Sequence, residues 1–264
     1  MFKSPGHIAF SISSIDIHWY GIIMSLAILA GILVIIAVKN KYFKEISTDT
    51  ICDISFYLIL FGLFSARLYY VILDFPYFFK HPYEIPAIWN GGIAIQGAII
   101  GGIIAGYAYT KEHQLNFLKL ADLFSFGLGT GQVIGRWGNF FNSEAFGLPT
   151  DLPWKLFIPY PLRTIEFREY EYFHPAFLYE SVLNLIVLGI LFYILKKSGE
   201  NRKHGIIFFS YLILYSISRI IVETIRVDSV LNIGIFHIAH ITAAITIILA
   251  VALMLLTNKK NPTN

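Results

Sequence analysis

His18-Trp19-Tyr20-Gly21-Ile22-Ile23-Met24-Ser25-Leu26-Ala27-Ile28-Leu29-Ala30-Gly31-Ile32-Leu33-Val34-Ile35-Ile36-Ala37-Val38 carries no charge beyond its opening histidine and ends against Lys39 and Lys41. A hydrocarbon core about 30 Å thick needs roughly 20 helical residues, and this run supplies them. Six further apolar runs follow, at about residues 51–73, 91–109, 118–135, 176–195, 205–222 and 235–256. The third and fourth of the seven are rich in glycine. The expected fold is an all-α polytopic membrane protein of about seven spans, treated as one integral membrane domain over residues 1–264.

Composition agrees. The chain is 56% hydrophobic and 14% charged, with a mean hydropathy of +0.64, whereas a soluble domain carries about 25% charge. The net charge of +3 says little, because in membranes the placement of Lys and Arg decides orientation. Cys52, the single cysteine, rules out an intrachain disulfide and makes a cysteine metal cluster untenable. No basic n-region precedes the first run and no small-residue cleavage site follows it, so it reads as a retained helix. No repeat, low-complexity tract or nucleic-acid signature is present.

Lys39, Lys41 and Lys44 follow the first span, Lys111 and Lys119 flank the third connection, Lys196, Lys197, Arg202 and Lys203 crowd the fifth, and Lys259 and Lys260 close the chain. On the other side, the N-terminal tail offers only Lys3 and the second loop only Lys80. The basic side is expected to be cytoplasmic, which puts the N-terminus outside and, after seven spans, the C-terminus inside. Residues 74–90, 137–175 and about 223–234 then face outward. Residues 137–175, with five prolines, are too long for a plain connection and predict a small extracytoplasmic cap.

The polar residues gather at that outer level. Gly135-Arg136-Trp137-Gly138-Asn139-Phe140-Phe141-Asn142-Ser143-Glu144-Ala145-Phe146-Gly147 closes the fourth run, bringing a guanidinium, two amides and a carboxylate to where the chain leaves hydrocarbon. Ionisable groups there are costly unless they meet partners or a wet cavity. An arginine among glycines and amides suits an anionic, oxygen-rich ligand such as a phosphate. Arg136 and Asn139 share a helix face, and so do Tyr215, Arg219 and Glu223, with Arg226 beyond. Two arginine-bearing helices at one level could hold one phosphate between them, with His174, Tyr179 and Glu180 in support. Tyr20 fits an aromatic belt as well as a site. Arg67, deep in the second run, reads as scaffold or a secondary lipid contact. Gly97, Gly101, Gly102 and Gly106 have spacing that lets helices approach closely; Gln96, an amide in that apolar helix, is not explained by packing. The glycines at 127, 129, 131 and 135 lack the βαβ context of a dinucleotide site.

Together, His18-Trp19-Tyr20-Gly21, Ala66-Arg67-Leu68-Tyr69-Tyr70, Gly91-Gly92, the Gly135–Gly147 stretch, His174-Pro175 with Tyr179-Glu180, and Arg219-Ile220-Ile221-Val222-Glu223 resemble the prolipoprotein diacylglyceryl transferase family over nearly the whole chain. The resemblance implies a bacterial inner-membrane enzyme, working toward the outer leaflet as a monomer. It would move the diacylglyceryl group of phosphatidylglycerol onto the lipobox cysteine of a prolipoprotein and release glycerol 1-phosphate, with no cofactor and no metal. Carried onto this chain, Arg136, Asn139, Asn142, Arg219 and Gly147 would bind the lipid. Arg136, Arg219, Tyr20, Asn139, Glu144 and Tyr215 would form the catalytic group; Glu223, Arg67, Gln96, His174, Tyr179 and Glu180 would support them.

The roles of Tyr20 (headgroup or thiol) and Glu144 (orienting Arg136 or binding a glycerol hydroxyl) stay open. One departure stands out: the family commonly carries a histidine where this chain has Gln96, and an amide accepts no proton at neutral pH. The base then lies elsewhere (His18 or Glu144), or the arginine pair lowers the thiol pKa unaided, or this copy is slow or altered in substrate. A transporter or flippase for an anionic lipid or solute, and a non-catalytic phosphatidylglycerol-binding protein, fit the same inventory.

Overall fold

The computed structural model of the chain describes residues 1–13, 15–199, 202–228, 232–233 and 236–260. It is mostly helical: α1 (Trp19–Tyr42), α2 (Thr48–Leu73), the short α3 (Phe75–Lys80), α4 (Ile95–Glu112), α5 (Phe117–Asn142), α6 (Ala176–Ser198), α7 (Ile206–Glu223) and α8 (Ile238–Lys260). Among the described residues, five helices are long and apolar enough to cross a membrane: α1, α2, α6, α7 and α8. Helices α4 and α5, of 18 and 26 residues, are diluted by glycine and by Asp122, Gln132, Arg136 and Asn139. The apolar runs on α2 and α6 turn side chains such as Phe56, Leu60, Phe64, Leu185 and Ile186 outward, as a lipid-facing surface requires.

Two compact units emerge, one of residues 39–120 and one of residues 1–38 with 121–264. Within residues 39–120, α2 starts at Ser47, whose hydroxyl accepts from the Thr50 N–H at 2.9 Å. It packs along α4 through Gly97 and Gly101. A Cβ on Gly97 would fall on the Ser65 carbonyl and one on Gly101 on the Ser65 side chain, so the backbones touch because no side chain intervenes. Arg67 is 8% exposed. Its Nε donates to the Ile85 carbonyl at 2.8 Å, Nη1 to Gly91 at 2.8 Å and Gly92 at 2.7 Å, and Nη2 to Glu84 at 2.6 Å. The guanidinium thus ties the 84–92 loop to α2 through backbone acceptors, with no carboxylate partner among the described residues.

In the larger unit, α1 meets α5 where a Cβ on Gly31 would come within 2.9 Å of the Gly127 carbonyl. Helix α6 packs on α7, and α7 on α8. Asp122 of α5, fully buried, caps the start of α7 by accepting from the Gly205 N–H at 2.7 Å and the Phe208 N–H at 2.8 Å. This satisfies orphan donors at a helix start, where negative charge is favoured.

Helix α5 runs through Arg136 to Asn142, so residues 137–142 of the expected cap are helical and residues 143–175 make the irregular part. There β1 (Phe2–Lys3), parallel to β4 (Leu156–Phe157), and β5 (Tyr172–Phe173), antiparallel to β4, form a three-stranded sheet. Its core is Ala145, Phe146, Leu156, Ile158, Phe173 and Phe177. Two small hairpins complete the strands, β2 (Ile8–Ile12) with β3 (Ile15–His18) and β6 (Asn232–Ile233) with β7 (Phe236–His237). The all-α expectation therefore omitted three short sheets: five of the strands are only two residues long, too short to show a period, while the brief alternation of Phe10-Ser11-Ile12 and Ile15-Asp16-Ile17-His18 in β2 and β3 was passed over. Of the outward turn expected at 223–234, residues 229–231 and 234 lie outside the described residues.

Candidate active site

Three helices of the larger unit each bring charge to one place. Helix α5 presents Arg136 and, one turn on, Asn139. Helix α6 opens after Pro175 and carries Glu180 in its second turn. Helix α7 presents Tyr215, Arg219 and Glu223 along one face and ends just before Arg226.

Glu180, only 5% exposed, is the hub. Its Oε2 lies 2.5 Å from Nε of Arg136; its Oε1 accepts from Nη1 of Arg219 and lies 3.7 Å from Nη1 of Arg226. Arg219 also places Nη2 2.7 Å from Oε2 of Glu223, and Arg226 donates through Nε to Oδ1 of Asp228 at 2.9 Å. The contacts through Oε2 of Glu180 and of Glu223 are charge pairs, not aligned hydrogen bonds. Three guanidinium groups and three carboxylates balance, which is what lets so many charges lie at low exposure. Arg136 is engaged only through Nε, so its terminal nitrogens make no hydrogen bond to any described residue. Arg136, Glu180, Asn184, Tyr215, Ser218 and Arg219 line a narrow cavity there.

The stretch after Arg136 is tightly constrained. Asn139 and Asn142 both donate their amides to Oε1 of Glu144, at 2.7 and 3.3 Å. Ser143 and Ala145, on either side, hold left-handed φ values of 56° and 55°, uncommon for residues with a Cβ. The Ala145 N–H donates to Oδ2 of Asp228 at 2.7 Å. Gly138 seats Tyr20, whose ring atom Cδ2 would lie 2.8 Å from any Cβ there. Gly147 sits at a backbone crossing: its N–H donates to the His174 carbonyl at 2.8 Å, it bridges to Arg226, and a Cβ would lie 2.8 Å from the Ile225 carbonyl.

Tyr179 accepts from Nε1 of Trp154 at 2.9 Å and lies 3.0 Å from Nδ1 of His174. Burial lowers the His174 pKa, so the ring is neutral at neutral pH. Tyr215 stacks on Tyr211 with centroids 6.0 Å apart. His18 is exposed on β3 and stacks on His7. Arg67 and Gln96 belong to the 39–120 unit, where Gln96 is exposed in the first turn of α4.

Residues 7–256 match the sequence profile of the family described as prolipoprotein diacylglyceryl transferase. The chain belongs to the prolipoprotein diacylglyceryl transferase family. Among curated proteins it is 44% identical over 247 residues to the phosphatidylglycerol–prolipoprotein diacylglyceryl transferase of Acaryochloris marina, covering 94% of this chain and 89% of that protein. It is 42% identical to the protein of that name from Trichormus variabilis (96% and 89% covered) and 41% identical to that of Thermotoga maritima (91% and 80%).

Within this prolipoprotein diacylglyceryl transferase family member, the structure brings Tyr20, Arg136, Asn139, Asn142, Glu144, Gly147, Glu180, Tyr215, Arg219 and Glu223 into one unit. The carboxylate against Arg136 among the described residues is that of Glu180, while Glu144, the partner expected from the sequence, takes the amides of Asn139 and Asn142. Asp228 and Asn184 were missed. An Arg-x-Asp step just past an amphipathic helix was the available signal for Asp228; Asn184, one turn after Glu180, was hidden because an isolated amide in an apolar run has no pattern.

Proposed function

We propose that this chain transfers the diacylglyceryl group of phosphatidylglycerol to the lipobox cysteine thiol of an exported prolipoprotein, forming a thioether and releasing glycerol 1-phosphate. The curated relatives carry that activity in their names. The observation that carries the reading is the arginine pair: Arg136 and Arg219, from different helices, share the buried carboxylate of Glu180, and Arg136 keeps its terminal N–H groups for an anion.

In the reaction, the thiol sulfur attacks the glycerol carbon that bears the phosphate ester, and the carbon–oxygen bond breaks with its electron pair going to phosphate. Charge grows on the departing phosphate, where preorganised donors are worth most. Arg136 supplies those donors, and Arg219 adds positive charge held in place by Glu180 and Glu223. Tyr20 and Tyr215 border the headgroup. No step needs a metal or cofactor.

We further read α4 and α5 as membrane spans beside the five apolar helices, with the N-terminus and the 143–175 cap outside, from the lysine distribution. The lipid then reaches the site laterally within the outer leaflet of the inner membrane, and the cap offers the peptide a dock.

The test is glycerol 1-phosphate release together with peptide mass gain, using purified protein, phosphatidylglycerol and a lipobox peptide. The parent should turn over and Arg136→Ala should not. A folded parent that binds phosphatidylglycerol without releasing glycerol 1-phosphate would replace the transferase reading with lipid binding or transport.

A further inference from the structure

A thiol with an ordinary pKa of about 8.5 is a poor nucleophile until it loses its proton. Gln96 cannot take that proton, so another group must. The histidines of the larger unit near the site are poorly suited. His18 is exposed on a hairpin against His7. His174 faces Tyr179, whose hydroxyl accepts from Trp154; the arrangement that satisfies all three sends the tyrosine proton to Nδ1 and leaves Nε2 protonated.

The carboxylates sort differently. Glu180 is shared among arginines, Glu223 is paired with Arg219, and Asp228 divides its oxygens between Arg226 and the Ala145 N–H. Among the described carboxylates of this cluster, Glu144 alone has no cationic partner. Its Oε1 takes both asparagine amides, and its Oε2 meets no hydrogen-bond donor among the described residues.

The backbone around it is built to hold that pose. Left-handed residues stand on both sides. The Glu144 N–H donates to the Asn139 carbonyl at 3.0 Å, the Ser143 N–H to Phe140 at 3.1 Å, the Phe177 N–H to Ala145 at 2.9 Å, and Asp228 pins the Ala145 N–H. Strain kept by so many supports is a mark of functional geometry.

We propose, resting on the transferase reading above, that Glu144 is the general base for the lipobox thiol. The S–H proton passes to Oε2 of Glu144. The S–C bond forms as the C–O bond to phosphate breaks, and the electron pair leaves on glycerol 1-phosphate. Glu144 then gives the proton to water. Asn139 and Asn142 fix the orientation of the carboxylate through Oε1, which leaves Oε2 as the oxygen that receives the proton. Asp228 is a positioning residue for this base.

The test compares two lipobox peptides, one with cysteine and one with selenocysteine in its place, since a selenol ionises at neutral pH without a base. Glu144→Gln keeps an oxygen for the asparagine amides and removes the basic group. With the cysteine peptide its turnover should fall on the order of 10²–10⁴-fold; with the selenocysteine peptide it should stay within about tenfold of the parent. Equal loss on both peptides, or full activity on the cysteine peptide, overturns the assignment. Transfer to neither peptide by the parent overturns the transferase reading instead. Should Glu144→Gln fail to fold, Glu144→Asp, one methylene shorter, serves: it should slow the cysteine peptide more than the selenocysteine peptide, and equal slowing again overturns the proposal.

Discussion

Replacing Glu180 by glutamine tests the central claim about how the arginines are held. The carboxylate offers one oxygen to Arg136 and one to Arg219 and Arg226. Glutamine offers a single acceptor, and its NH2 must face a guanidinium donor. One charge-assisted contact is lost and replaced by a donor–donor conflict, with a net positive charge left over. Removing one partner of a buried ion pair costs about 3–5 kcal/mol. The arginine side chains here are 22% and 20% exposed, so water relieves part of that, and the lower figure, about 3 kcal/mol, applies. It divides between folding and turnover. If all of it fell on the transition state, kcat/KM would drop roughly 10²-fold; any share borne by folding would lower the thermal midpoint by several degrees. The assay is glycerol 1-phosphate release at varied phosphatidylglycerol, paired with a thermal melt of the same sample. If Glu180→Gln stays within twofold of the parent in kcat/KM and melts with it, Glu180 does not hold the arginine pair and the site must be redrawn.

Arg67→Lys should destabilise the protein by about 2–3 kcal/mol, because one ammonium cannot satisfy the carbonyls of Glu84, Ile85, Gly91 and Gly92 at once; a thermal midpoint equal to the parent's would contradict this. Gly97→Leu should abolish folded protein, since its side chain would have to occupy the Ser65 backbone; a monodisperse, fully active variant would show that α2 and α4 can separate at little cost. Burial lowers the His174 pKa from its ordinary 6.5. Just below that pH the folded state therefore binds fewer protons than the unfolded chain, so stability rises with pH. The contribution is complete above about pH 6.5 and is lost as the pH falls through the lower folded value. Thermal midpoints should decline below that pH, less steeply in His174→Gln; identical slopes would remove His174 as the cause.

Much of this could be read along the chain because the signals are local. A run such as residues 18–38 must be helical wherever it is apolar for that length, since backbone groups in hydrocarbon have to bond within the segment. Helical spacing placed Arg136 with Asn139 on one face, and Arg219 with Glu223, and the structure pairs the latter two directly. The packing role of Gly97 and Gly101 was likewise a matter of spacing.

Other features depended on residues far apart in the chain. Glu180 became the hub because α6 sets it between two helices, at sequence separations of 44 from Arg136 and 39 from Arg219. Asp228 reaches Ala145, and Asp122 caps α7, each across 83 residues. The parallel pairing of Phe2 with Leu156 joins the first residues to the cap. Local pattern determines which segments are helical and which faces are polar, because hydrogen bonding and side-chain periodicity act within a few residues. Which carboxylate meets which arginine is decided only by tertiary packing, because charges pair by proximity in space, and that Oε2 of Glu144 meets no donor among the described residues is visible only once the other partners have been placed.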